Sequence, residues 1–266
     1  MRHGAFGDRK GALRLSVGHN DPMRGPMKHG PPRIGAVARA SVACVAVAMT
    51  MLLSGCTTTV SGNALRDKDA APLDVAPLRE AQLADVMLSI DEINSILGST
   101  DMEVVDETEG MSDNSHAVSD PDCLGVIFGA EEKVYDGSDW TAVRDQVSRE
   151  PGDDKDHWVQ QTVVLYPAAD DAKKFFADSK SNWEQCGGFS VAVDDSESSY
   201  IWEVDDVGAK DDLLTQVTTQ EDSGGWECQH ALSLVSNVTV ETWACAFGIK
   251  DQAVEMAQEM IKNAAK

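Results

Sequence analysis

The sequence predicts an α+β domain, an antiparallel sheet with flanking helices and two disulfides, and three observations predict it. Short β-rich runs follow one another at hairpin spacing through the C-terminal half, separated by Asp, Ser and Gly. Helical stretches stand before and after those runs instead of alternating with each of them, which points away from a parallel sheet. Four cysteines, Cys123, Cys186, Cys228 and Cys245, remain once an N-terminal targeting segment and the Cys56 that ends it are set aside, and an even number suits pairing in an oxidising compartment.

Charge divides the 266-residue chain in two. Before Cys56 there are eight basic residues against two acidic ones, a net +6, whereas the remainder holds 14 basic and 43 acidic residues, a net −29. A surface that acidic repels phosphate backbones and anionic lipid headgroups, so no nucleic-acid partner and no basic-patch membrane attachment are expected.

The basic head is followed by an uncharged run from Ala40 to Leu53, the n-region and h-region of a signal peptide, and too short for the roughly 20 apolar residues of a spanning helix. Leu53-Ser54-Gly55-Cys56 resembles a bacterial lipobox, which implies that Cys56 is diacylated and becomes the first mature residue. The expected organisation is therefore a signal peptide over 1–55, with Met23 or Met27 as the true start, a lipidated tether over 56–82 and a folded domain over 83–266. The tether assignment rests on sparse apolar content around TTTVSGNALRDKDAAPLDVAP. The expected location is the extracytoplasmic face of the cell membrane, held by the lipid on Cys56.

Along the domain, Ser89 and Glu92 form an S-x-x-E capping box and Gly98 a stop, predicting a helix between them. Residues 103–121 read as acidic and turn-rich, and Cys123-Leu-Gly-Val-Ile-Phe as a buried strand. In 140–149, Val143 and Val147 fit a helix face or a strand face; the turn PGDDKD and the strand Trp158–Tyr166 beyond it favour a hairpin. Ala172, Phe175, Phe176, Ser179 and Trp183 make one face of a helix over 168–185, ended by Gly187 and Gly188. Strands are expected at 189–194, 200–207 and 213–220. A last helix over 251–265 turns Val254, Ala257, Met260, Ile261 and Ala264 inward.

From Trp226 to Phe247 two β-rich runs flank Ser236-Asn237, a two-residue turn in which asparagine tolerates a left-handed conformation. Cys228 and Cys245 lie eight residues before Ser236 and eight after Asn237, so they face each other across the ladder at a separation compatible with a disulfide. Cys123 and Cys186 pair by elimination. Metal binding by these thiols is disfavoured, because neither CxxC nor HxxxH spacing occurs.

Trp140-Thr-Ala-Val-Arg-Asp-Gln, the segment PGDDKDHWVQQTVV, Trp183-Glu-Gln-Cys186, Gly225-Trp-Glu-Cys228-Gln-His-Ala-Leu, Asn237-Val-Thr-Val and Ala244-Cys245 together resemble the extracellular sensor-domain family of the mycobacterial serine/threonine kinase PknH. The resemblance spans roughly Leu83 to the C-terminus. It implies an α+β fold, two disulfides paired as above and a surface cleft for an unknown ligand, and it carries over no enzymatic activity.

Catalysis finds little support in the residues. His116, His157 and His230 are the histidines beyond Cys56, all read as exposed or strand-end, and no G-x-S-x-G, S-x-x-K, H-E-x-x-H or P-loop accompanies them. The clusters Asp153-Asp154-Lys155-Asp156 and Asp194-Asp195-Ser196-Glu197 lack the calcium-loop pattern and read as solvated turns. No cofactor and no metal are expected. Tyr135, Trp140, His157 and Trp158, near the ends of expected strands, are the candidates for lining an apolar cleft. The expected role is non-catalytic binding of an unknown small molecule or envelope component; the alternative is a protein–protein interaction module of the cell envelope.

Overall fold

A computed structural model describes residues 75–152, 156–194 and 198–266. Cys56, the signal segment, residues 56–74 of the tether and most of both acidic clusters lie outside the described residues. Nine strands form one antiparallel sheet: β1 (Glu103–Thr108), β2 (Ala142–Arg149), β3 (His157–Leu165), β4 (Ser190–Asp194), β5 (Ser199–Val204), β6 (Gly208–Lys210), β7 (Leu213–Gln220), β8 (Trp226–Val235) and β9 (Val238–Phe247). Their order is β1-β2-β3-β9-β8-β7-β5-β4, with β6 paired to β7 beside that path. The expected α+β class with two disulfides is thus the observed one.

Helices cover both faces. On one lie α1 (Leu83–Val86), α2 (Ile90–Leu97) and α5 (Gln252–Ala264), packed on Val159, Val163, Val240 and Ala244. On the other lie α3 (Glu132–Tyr135), α4 (Ala169–Cys186) and a 3₁₀ turn (Pro121–Val126), packed on Val147, Trp158, Trp243 and Cys245. With helices on both faces, β3, β8 and β9 are buried on both sides, and β9 is buried from Val238 to Ala246.

The local signals hold where they are self-contained. Ser89 caps α2 by accepting from the Glu92 N–H while Glu92 Oε2 accepts from the Ser89 N–H (2.8 Å), and Gly98 ends the helix with φ +74°. The β8–β9 hairpin has the expected register, Cys228 opposite Cys245 with their Cα atoms 4.0 Å apart and their sulfurs bonded. Residues 142–149 form a strand paired with β3, and α4 buries Ala172, Phe175, Ser179 and Trp183 while Phe176 stays half-buried. In α5 the inward face is Ala253, Met256, Ala257 and Met260, so Val254, Ile261 and Ala264 flank the contact instead of centring it.

Several expectations need correction. Cys123–Phe128 is not a strand: Asp120 caps a 3₁₀ turn by accepting from the Asp122 N–H, Pro121 opens it, and Ile127 and Phe128 donate back to Leu124 O. A short apolar run buried on all sides has no periodicity to separate helix from strand. The acidic stretch after residue 102 contains the edge strand β1, whose exposure on both sides leaves it no apolar alternation. The strand expected over 200–207 stops at Val204, and Gly208–Lys210 is separate. At the hairpin turn the left-handed φ falls on Ser236 (+52°), while Asn237 is buried. Its side chain accepts from the Leu78 N–H (2.7 Å) and donates to Leu78 O and Tyr166 O, so the packed domain begins ahead of Leu83.

Candidate functional site

A cavity of about 310 Å³ opens between the 3₁₀ turn, α3 with the loop leaving it, and α4. Asp122 and Leu124 line one side, Lys133 and Asp136 a second, and Lys174, Phe175, Asp178, Asn182 and Trp183 the third. The disulfide between Cys123 and Cys186 joins the first side to the third, and the Asn182 side chain donates to Asp122 O beside it (2.7 Å). One covalent bond and one hydrogen bond therefore set the spacing of two walls.

Behind the wall formed by Phe175 and Trp183 lies a row of buried polar side chains on the sheet. Strand register places Asp145, Thr162 and Glu241 side by side on β2, β3 and β9, and Gln160, Trp243, His230 and Gln216 in the next row. Glu241 Oε2 accepts from the Tyr135 hydroxyl (2.8 Å) and Glu241 Oε1 lies 2.8 Å from His230 Nε2. The Tyr135 ring stacks on Phe175 at 4.2 Å, and the His230 ring sits between Trp183 at 4.0 Å and Trp243 at 3.9 Å. Each aromatic wall residue of the cavity thus rests on a ring held by Glu241. Gly129 lets the chain after the 3₁₀ turn approach this row: a Cβ there would stand 2.8 Å from Gln160 Oε1 and 3.0 Å from Trp243 Nε1.

Burial governs the protonation of these groups. Asp145 accepts from Gln160 Nε2 (2.9 Å) and from the Thr162 hydroxyl, yet burial outweighs both bonds and pushes its carboxyl up to about 7. Glu131, fully buried beneath Asn114, is raised by burial too, and Tyr135 is driven well above the phenolic range by burial and by Glu241. Burial moves His230 the other way, below the ordinary imidazole value, against the pull of Glu241. Among the described residues no Lys or Arg pairs with Asp145, Glu131 or Glu241.

The two shifts oppose each other as pH changes. Asp145 takes up its proton more readily folded than unfolded, so its stabilisation is complete below about pH 4 and is lost as pH rises through 7. His230 destabilises the native state as pH falls below about 6.5, because the unfolded chain then binds more protons. Asp145→Asn keeps an acceptor for Gln160 and Thr162 without the charge. It is expected to stabilise by up to about 4 kcal/mol at pH 8 and by almost nothing at pH 4, as read by urea unfolding across that range.

The four residues expected to line a cleft do not meet. Tyr135 is buried over the middle of the sheet, behind the cavity wall. Trp140 is half-buried just before β2, whereas His157 and Trp158 start β3 at the far end of β2, roughly 25 Å of strand away. Trp158 belongs to the core at 5% exposure, and His157 is clasped by Glu150, which accepts from its N–H (2.9 Å) and meets its Nδ1 (2.5 Å). His116 is exposed as expected, but His230 is completely buried, since β8 has a helical layer on each side. Asp145, Glu131 and Glu241 were not singled out by sequence. A signal existed for Glu241, the one charged residue in the ten-residue run Val238–Phe247, whose near-continuous apolar character marks a strand covered on both faces.

Comparison with known proteins adds a family to this geometry. The model of the PknH-like extracellular domain matches residues 78–263. The serine/threonine-protein kinase PknH of Mycobacterium tuberculosis strain H37Rv is 36% identical over 203 residues, covering 76% of this chain and 32% of the kinase. Its Mycobacterium bovis counterpart is 36% identical over 190 residues, covering 71% and 32%. The chain therefore spans about a third of the length of the curated relatives it matches. The crystal structure of the extracellular domain of PknH from Mycobacterium tuberculosis superposes with a TM-score of 0.68 at 35% identity, over 71% of this chain and 97% of that one. Matched along nearly all of its described residues, with its two disulfides and its single antiparallel sheet, the chain belongs to the PknH-like extracellular domain family.

Proposed function

We propose that this chain is a lipid-anchored, extracytoplasmic protein of the cell envelope whose domain binds a small molecule or envelope component without turning it over. The observation that carries the binding role is the cavity against α4, whose aromatic wall is fixed from behind by the Tyr135–Glu241–His230 contacts. Its volume, near 300 Å³, lies at the lower end for small-ligand sites, and its lining is mostly polar, with Phe175 and Trp183 only 6% and 2% exposed beneath it. The same geometry argues against catalysis there. His230 is sealed behind Trp183, and the Ser138 hydroxyl is spent on Tyr135 O (2.7 Å), which leaves the lining without a nucleophile–base pair among the described residues.

Placement outside the cytoplasm is supported by the relatives, in which the matching part is an extracellular domain, and by two disulfides. Among the described residues no helix is long and apolar enough to cross a membrane. The lipid anchor rests on Leu53-Ser54-Gly55-Cys56. Cys56→Ala is expected to leave an uncleaved precursor or to move the protein from the membrane fraction to the soluble one; unchanged processing and retention would remove the anchor from the proposal. For binding, a melting screen of the intact protein in nonionic detergent against fractionated envelope material is expected to give a rise of about 2.7 kcal/mol at a hundredfold excess over Kd. The interaction-module alternative draws on Phe189, 61% exposed beyond the edge strand β4. It takes over if no fraction shifts the melt while one envelope protein is recovered in stoichiometric amount by pull-down.

A further inference from the structure

We propose that residues 130–139, the single turn of α3 with its two flanking loops, form a lid over the cavity that closes when the buried carboxyls beneath it hold protons and loosens when they release them. The lid supplies one side of the lining, from Lys133 to Ser138. Its ends are bent into the left-handed region: Ala130 has φ +54°, Gly137 +70° and Asp139 +61°. That conformation is strained for a residue with a Cβ, so the closed position persists only while other contacts outweigh it. Ser112 supplies backbone contacts on either side of Glu131, donating its N–H to Ala130 O and accepting from the Glu132 N–H, each at 2.8 Å. The side-chain latches are Glu131, which accepts from the Asn114 N–H (2.7 Å), and Tyr135, which donates its hydroxyl to Glu241 (2.8 Å).

Both side-chain latches end on a buried carboxyl, and among the described residues no Lys or Arg pairs with either. The charged neighbours of Glu131 are Asp113 and Glu241. Glu241 faces Asp145 across Thr162, with His230 and Tyr166 also turned to it, and Asp145 feels Asp106 on β1. Lys133, the lid's own cation, is engaged at the Ser115 hydroxyl, with Asp113 3.8 Å away. The chain enters the lid at Gly129, which rests on Gln160, and Gln160 Nε2 donates to Asp145 (2.9 Å). Raising the lid therefore brings water to Glu131, Glu241 and Asp145 together. Asp145 and Glu241 are fixed in strands of the sheet, whereas Glu131 rides on one helical turn, too short to hold itself, so ionisation is relieved by lifting that turn. Burial raises Glu131 and brings Asp145 to about 7, so the closed lid binds more protons than the open one. Closure is complete below about pH 4 and is lost as pH rises through 7. His230 titrates in the opposite sense, but its ring lies between Trp183 and Trp243, outside the lid, so acid acts through it on the whole domain. Loosening also takes the Tyr135 ring from Phe175, so a ligand is held at low pH and released at high pH; that consequence alone rests on the binding role argued above.

Amide hydrogen exchange of the intact protein in nonionic detergent, corrected for the intrinsic rate at each pH, tests the lid without a ligand. The amides of Glu132, Val134 and Tyr135, which donate to Ser112 O and Glu131 O, are expected to open about tenfold more often near pH 8.5 than near pH 5.5, while those of the β8–β9 hairpin keep their protection. Glu131→Gln and Asp145→Asn retain the acceptors without the charge. Together they should leave the lid as protected at the higher pH as the parent is at the lower one; if the pair does not fold, Asp145→Asn alone should remove most of the rise. Lid protection that does not change with pH would overturn the proposal. So would a loss shared equally by the hairpin, which is global unfolding, or a pH-dependent loss that the variants keep. A lid that opens with pH in a protein that no envelope fraction stabilises would uphold the lid and refute the binding role; a stabilising fraction beside an unresponsive lid would refute the lid alone.

Discussion

Replacing Cys123 and Cys186 together by alanine is expected to lower stability by roughly 4 kcal/mol. The bond closes a loop between positions 63 residues apart, and chain-entropy arguments give about that value for such a loop, against roughly 3 for the 17-residue separation of Cys228 and Cys245. Urea unfolding of the two double variants should rank them in that order. The first should carry an additional defect, since its disulfide ties the 3₁₀ turn to α4 across the cavity. Any ligand that raises the parent's melting temperature should shift this variant far less, while the Cys228→Ala/Cys245→Ala variant keeps the shift. Equal ligand responses in the two would separate the disulfide from the shape of the site.

Glu241→Ala is expected to cost about 4 kcal/mol. It strands the Tyr135 hydroxyl and His230 Nε2 together in the buried core, and each buried polar group left without a partner costs about 1–3 kcal/mol. Glu241→Gln keeps an oxygen and an amide in the same place and should cost about 1 kcal/mol. A double variant that also changes Tyr135 to Phe removes one of the stranded groups, so the two costs should be strongly non-additive in a thermodynamic cycle. Additive losses would show that the Tyr135–Glu241 bond contributes nothing and that the wall formed by Phe175 is held by packing alone.

What sequence could foresee divides along physical lines. The α2 cap and the β8–β9 register depend on residues close in the chain, and a two-residue loop leaves no freedom in which positions face each other. The cavity draws on residues 121–124, 133–138 and 174–183, and no local pattern records that three such segments converge. The choice of Tyr135, Trp140, His157 and Trp158 assumed that aromatic residues near strand ends gather at one end of the sheet; antiparallel pairing sends β2 and β3 starts to opposite ends instead. His230 misled for a different reason. A polar residue alternating with apolar ones in a strand reads as solvent-facing, and here both faces of the sheet are roofed by helices.

The pairing of the cysteines also bears on how the chain reaches its native state. Cys123 joins Cys186 and Cys228 joins Cys245, so each bond links neighbours in order of appearance. A polypeptide emerging amino end first, from ribosome or translocon, presents the thiols of Cys123 and Cys186 before those of Cys228 and Cys245 exist outside. Oxidation in order of emergence therefore yields the native connectivity without passing through a wrong bond. The sheet is timed differently. Its strand β9 sits between β3 and β8, so the hairpin can close locally, but the centre of the sheet assembles only when the final strand has arrived to meet one begun some eighty residues earlier. The Cys123–Cys186 bond can form before that closure, whereas Cys245 arrives only with β9 itself, and a chain stalled before Val238 would leave β3 as a long unpaired edge, the form most prone to aggregate.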